Sequence, residues 1–102
     1  MIARIWNGKT PIAKYEKYTK FLLQTAIPDY RSVTGNMGLS FLRNKDQHYA
    51  YFTLITYWNS IESIKSFAGE DYEKAKYYPE DNDFLVSFEE NVQHFEVFSF
   101  YK

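Results

Sequence analysis

Tyr49-Ala50-Tyr51-Phe52-Thr53-Leu54-Ile55-Thr56-Tyr57-Trp58, running directly into Asn59-Ser60-Ile61-Glu62-Ser63-Ile64, decides the fold. Aromatic and β-branched residues dominate the first ten positions, the composition of a strand. Its alternate faces are Tyr49, Tyr51, Thr53, Ile55, Tyr57 and Ala50, Phe52, Leu54, Thr56, Trp58; neither reads as solvated. Ser60 or Asn59 then caps a helix whose apolar face is Ile61, Ile64, Phe67 and Ala68, and Gly69 stops it.

Working outward, Asn44-Lys45-Asp46-Gln47 is a polar turn, and before it Met37, Leu39, Phe41 alternate with Gly38, Ser40, Leu42. These strands form an antiparallel hairpin. Residues 1–7 alternate as Ile2, Arg4, Trp6 against Ala3, Ile5, Asn7, a strand expected to break at Gly8. Thr10 reads as an N-cap with Pro11 at the first helical position, followed by Ile12, Tyr15, Thr19, Leu22 and Ala26 at helical spacing. Pro28 is expected to end that helix, with a loop over 29–36. Beyond Gly69, residues 70–78 read as a further helical turn or two, and 80–91 as an acidic, irregular stretch with room for one helical turn around Phe84-Leu85-Val86, the run 80–83 itself reading as a solvated loop. A last strand alternates His94, Glu96, Phe98, Phe100 with Phe95, Val97, Ser99, Tyr101. The order β-α-β-β-α-β predicts an α+β fold, the ferredoxin-like split βαβ with one antiparallel sheet, as a single domain over 1–102. Two helices cover one face of such a sheet. The other face, apolar here, predicts a homodimer with the sheets face to face.

Composition narrows the function classes. The 102 residues carry 12 Lys+Arg against 13 Asp+Glu and a net charge of −1, which argues against a nucleic-acid binder. There is no cysteine, which removes disulfides, thiolate nucleophiles and cysteine metal ligands. Two histidines 46 positions apart, and Glu80-Asp81-Asn82-Asp83 without calcium-loop spacing, give no metal-site pattern. No apolar run spans a membrane and no leader is recognisable at Met1, so a cytoplasmic protein without a membrane partner is expected. Aromatics make up 21% of the chain, which suits a cavity wall or a subunit interface.

The chain resembles the antibiotic biosynthesis monooxygenase family, of the dimeric α+β barrel superfamily. The similarity lies in Ile2-Ala3-Arg4-Ile5-Trp6, Trp58-Asn59-Ser60-Ile61-Glu62-Ser63-Ile64, Phe67-Ala68-Gly69-Glu70-Asp71-Tyr72 and Val92-Gln93-His94-Phe95-Glu96-Val97. The resemblance implies a ligand pocket between sheet and helices, and a dimer built on the opposite sheet face. It implies a cofactor-independent monooxygenase, or a related small isomerase, acting on an aromatic or polycyclic metabolite; the alternative is a noncatalytic small-molecule binding or stress-related protein. Haem-degrading relatives carry an Asn on the first strand, a Trp in the second helix and a His ligand after it. Asn7 matches the first, but the other positions fall near Phe67 and near Lys76 or Tyr77, so no cofactor is expected. Some oxygenases of the family have a polar side chain where this chain has Leu54.

The side chains expected around the pocket are Asn7, Trp58, Phe67, Tyr72 and Tyr77, because small Ala3 leaves room for the helices on its own face of the first strand. Arg4 and Glu96 would then form a structural pair on the dimer side. His94, the side chain with an unperturbed pKa nearest neutrality, is the candidate catalytic base. Strict alternation places it with Glu96, outside the pocket unless a bulge rotates it.

Overall fold

A computed structural model describes residues 1–101. β1 (Ile2–Pro11), β2 (Asn36–Lys45) and β3 (Tyr49–Trp58) are long strands; β4 (Ser87–Phe88) and β5 (Gln93–Glu96) are short. β2 pairs β3, β3 pairs β1, and both β4 and β5 pair the far edge of β1, every pairing antiparallel. The helical layer lies on one face. It comprises a 3-10 turn (Ile12–Lys14), α1 (Tyr15–Phe21), a π turn (Leu22–Ala26), α2 (Ile27–Arg31), α3 (Ile61–Ala68) and α4 (Asp81–Phe84). This is the ferredoxin-like α+β order read from the sequence, with β4 added. Among the described residues no helix is long and apolar enough to cross a membrane.

β1 does not break at Gly8. Its pairing with β3 runs without a shift from Ile2 opposite Trp58 to Pro11 opposite Tyr49, so Thr10 and Pro11 end a strand rather than start a helix. Gly8 serves the packing instead: a Cβ there would overlap the Trp6 ring two residues back on the same face. Pro28 does not end the helix either. The π turn before it shifts the hydrogen-bonding register, so Pro28 falls in the first turn of α2, where a missing N–H costs nothing.

Ser60 is the N-cap of α3, its Oγ accepting from the Ser63 amide at 3.2 Å, and Gly69 follows with φ 93°, a value suited to glycine. Residues 69–80 form a strap of bends and turns around an irregular stretch at 75–78, with one turn closed by the Lys74 amide on the Asp71 carbonyl, and no helix. The strap is tied down by its own main chain: the Ala75 amide donates to the Glu90 carbonyl at 2.8 Å and the Val92 amide to the Glu73 carbonyl at 2.8 Å. β5 ends at Glu96 because β1 has no residue left to pair; the Val97 amide makes the last bond, to the Met1 carbonyl.

The core lies between sheet and helices. β3 contributes Ala50, Phe52, Leu54, Thr56 and Trp58, all buried, and the helices meet them with Tyr18, Leu22, Ala26, Tyr30, Ile64 and Phe67. The opposite sheet face is open and carries Tyr49, Tyr51 and Phe95, each more than a third exposed.

Candidate functional site

Register decides which residues of β1 reach the helical layer. Trp6 stands opposite Leu54 and Arg4 opposite Thr56, both on the buried face of β3. Arg4 and Trp6 therefore point at the helices, and Asn7 at the open face. This reverses the faces expected from the small size of Ala3. Asn7 is exposed, donates to Glu89 Oε1 at 2.8 Å and accepts from the Thr53 hydroxyl at 2.7 Å.

Arg4 is 2% exposed. Its Nη2 donates to the Lys74 carbonyl of the strap at 3.0 Å, and its guanidinium lies 5.6 Å from the centre of the Phe67 ring. Its Nε is buried with no hydrogen-bond partner, and no carboxylate lies within ion-pair distance among the described residues. The expected pair with Glu96 does not form: Glu96 stands opposite Ile2 and is exposed. Burial lowers the Arg4 pKa, partly countered by Tyr30, but a guanidinium stays protonated.

A cavity opens beside this side chain, lined by Arg4, Trp6, Tyr18, Tyr30, Leu54 and Tyr78 together with the charged Lys76 and Asp81. Its free space of about 20 Å³ is room for a single water molecule. A larger ligand needs side chains or the strap to move. The strap is fastened over it by Lys76, 3.0 Å from Asp29, and by the Tyr78 hydroxyl, which donates to Asp29 at 2.7 Å. Burial acts to raise the Asp29 pKa, but these two contacts outweigh it and hold the carboxylate below its ordinary value.

Asp81 is 6% exposed, although the acidic run around it reads as a solvated loop. One carboxylate oxygen accepts from the Tyr18 hydroxyl at 3.1 Å and the other from the Tyr78 amide at 2.7 Å. Burial pushes its pKa up. The same cause raises the phenols around it: Tyr30 to about 12, and Tyr18 and Tyr78 well above their ordinary value. These hydroxyls stay protonated at neutral pH and serve as donors.

The other expected pocket residues do not line this cavity. Trp58 is fully buried, its Nε1 donating to the Thr56 hydroxyl at 2.8 Å. Phe67 stacks on Tyr30 at 4.3 Å between ring centres. The Tyr77 hydroxyl accepts from Trp6 Nε1 at 3.0 Å and itself donates to the Glu89 carbonyl. Tyr72 packs edge-on against His94 at 5.3 Å. His94 stands opposite Arg4 and shares its face, so it reaches the helical side without a bulge. Its Nε2 is buried without a partner, and burial, with the Arg4 charge, lowers its pKa.

Sequence reasoning missed Arg4, Trp6, Tyr18, Tyr30, Tyr78 and Asp81 as cavity residues. The signal for the first two was present: Trp6 and Gly8 two positions apart mark a face on which a large ring needs a bare neighbour.

The sheet, the helical layer on one face and the cavity between them define a ferredoxin-like α+β domain. Two solved structures share the fold over the full chain. One is a point mutant of MhuD with two manganese protoporphyrin IX bound per active site: TM-score 0.71, 18% identity, covering 100% of this chain and 99% of that one. The other is a Bacillus cereus protein carrying the name antibiotic biosynthesis monooxygenase: TM-score 0.65, 14% identity, covering 99% and 96%. No family model and no curated protein matches the sequence.

The porphyrin of the first neighbour does not fit the donors here. The strap carries no histidine. His48 is exposed at the β2–β3 turn, the His94 Nε2 is sealed in, and the Tyr77 hydroxyl is already engaged on both sides.

Proposed function

We propose that this protein is a cofactor-independent monooxygenase acting on an electron-rich phenolic or polycyclic aromatic compound bound in the helix-side cavity. The observation that carries the reading is the Arg4 guanidinium, 2% exposed, without a counter-ion, at the wall of an aromatic cavity. A buried unpaired cation is costly, and an anionic ligand would compensate it. Electron-rich phenolates and enolates are anions able to transfer an electron to O₂ without a cofactor. In such a reaction the substrate supplies the electrons, one atom of O₂ enters the ring system and the other leaves as water. The protein then has to hold the anion and exclude water, for which Trp6, Tyr18, Tyr30 and Leu54 supply the walls. The shared fold of the two neighbours supports the same reading.

The second copy expected from the open sheet face belongs to this proposal. Tyr49, Tyr51 and Phe95 on that face, and Phe100 against Tyr57 at 5.8 Å between ring centres, form an apolar surface suited to a homodimer. Oxygen consumption with a panel of anthrols, quinols and flavonols tests the activity. Uptake in step with substrate loss supports it, whereas tight binding without uptake makes the protein a noncatalytic binder of the same ligands.

A further inference from the structure

We propose that Asp81 is the proton acceptor of the helix-side cavity, and that its ligand is a neutral, weakly acidic phenol or enol that gives its proton to Asp81 while its oxygen turns to Arg4. This rests on reading that cavity as the substrate pocket.

The cavity brings together two buried groups of opposite charge that do not touch. Arg4 lines it with an unpartnered Nε, and Asp81 lines it with no cation within ion-pair distance among the described residues. Lys76, the other cation lining the cavity, is taken by Asp29 at 3.0 Å. Buried charges held apart in a medium of low dielectric destabilise the fold. The cavity they line has room for a single water molecule, so a ligand that takes up both groups displaces the strap over it and becomes charged there.

The chemistry at Asp81 permits the transfer. Its two oxygens accept one hydrogen bond each, from the Tyr18 hydroxyl and the Tyr78 amide, and a carboxylate has lone pairs left for a further donor. In the step itself the ligand O–H bond breaks. Its electron pair stays on the ligand oxygen beside Arg4, and the proton passes to an Asp81 oxygen; nothing is oxidised or reduced. The other groups around Asp81 are poorer acceptors. Tyr18, Tyr30 and Tyr78 have raised pKa values and stay protonated, and His94 does not line the cavity. Burial, helped by neighbouring Glu80, lifts the Asp81 carboxyl toward the basicity of a phenolate, which makes the transfer less uphill.

The test counts protons. A nitrophenol, whose visible absorption reports its phenolate, is bound to the full chain below its solution pKa. Calorimetry in two buffers of different ionisation enthalpy then measures protons released. The expected result for the wild type is a phenolate spectrum with no proton released to buffer, because the proton remains on Asp81. In Asp81→Asn, phenolate forms only with release of one proton per site. Asn can keep both contacts, its oxygen accepting from the Tyr78 amide and its nitrogen donating to the Tyr18 oxygen. If that variant misfolds, the wild-type measurement decides alone. A wild-type complex that releases a full proton, or one that holds neutral phenol, overturns the role of Asp81 and leaves the pocket standing. Failure of every nitrophenol to bind removes the pocket reading and this proposal with it.

Discussion

The Trp6 indole fills the space that a Cβ on Gly8 would need. Gly8 has no positive φ, so its backbone accepts any residue and the ring alone enforces glycine. Gly8→Ala is expected to cost about 1–3 kcal/mol through overpacking, offset by about 0.4–1 kcal/mol from a stiffer unfolded chain. Urea denaturation measures it. In a Trp6→Leu background the same substitution becomes neutral or stabilising; an unchanged cost there would show that the ring is not the cause.

The proposed function has Arg4 serve the ligand rather than the fold. Arg4→Met keeps an unbranched stem as far as the Nε position, removes a buried uncompensated charge and gives up one hydrogen bond to Lys74. Its thermal midpoint should be unchanged or higher, while nitrophenol affinity falls at least tenfold, about 1.4 kcal/mol. A large drop in the midpoint with affinity retained would make Arg4 structural.

The pH dependence of stability reports on His94. Its folded-state pKa lies below 6.5, from burial and then the Arg4 charge, with Glu73 acting the other way. Protonation therefore favours the unfolded chain. The stability supplied by the neutral ring is fully present above pH 6.5 and is lost as pH falls through the folded-state value. His94→Gln should flatten the loss of stability on that acid side in denaturation midpoints followed across the window. An identical slope in the variant would place the effect elsewhere.

Assembly is tested on the open face. Light scattering should give a mass near twice 12.2 kDa. Ile55→Asp puts a carboxylate on the face carrying Tyr49, Tyr51 and Tyr57, and should yield monomer or aggregate. A wild-type species of single-chain mass at micromolar concentration would exclude the dimer.

The sequence is legible where local chemistry and alternation agree. β3 is apolar on both faces, and Ser60 and Gly69 bracket α3 by capping alone. It is less legible where tertiary register overrides local signals. Thr10-Pro11 looks like a helix start, but β3 offers Ala50 and Tyr49 as partners and the strand continues. Pro28 looks like a stop, but a π turn makes it a first-turn residue. The faces of β1 come out reversed because the small size of Ala3 suggests a helix-facing residue and the charge of Arg4 suggests a partner across the dimer. Asp81 is hidden for a related reason: in an acidic run nothing local marks the one carboxylate that Tyr18 and the Tyr78 amide draw inward.

Ligand binding on the Arg4 face of the sheet underlies both the oxygenase reading and the role of Asp81. The chain has two tryptophans, and one of them, Trp6, lines the cavity. A heteronuclear NMR titration of labelled protein with an anthrol or quinol analogue resolves the indole N–H of Trp6 and the side-chain amide of Asn7 on the open face. The expected outcome is a saturable shift at the Trp6 indole, released from Tyr77 or repacked, with the Asn7 amide unmoved. A saturable shift at Asn7 with Trp6 unmoved would place the ligand on the wrong face and refute the reading.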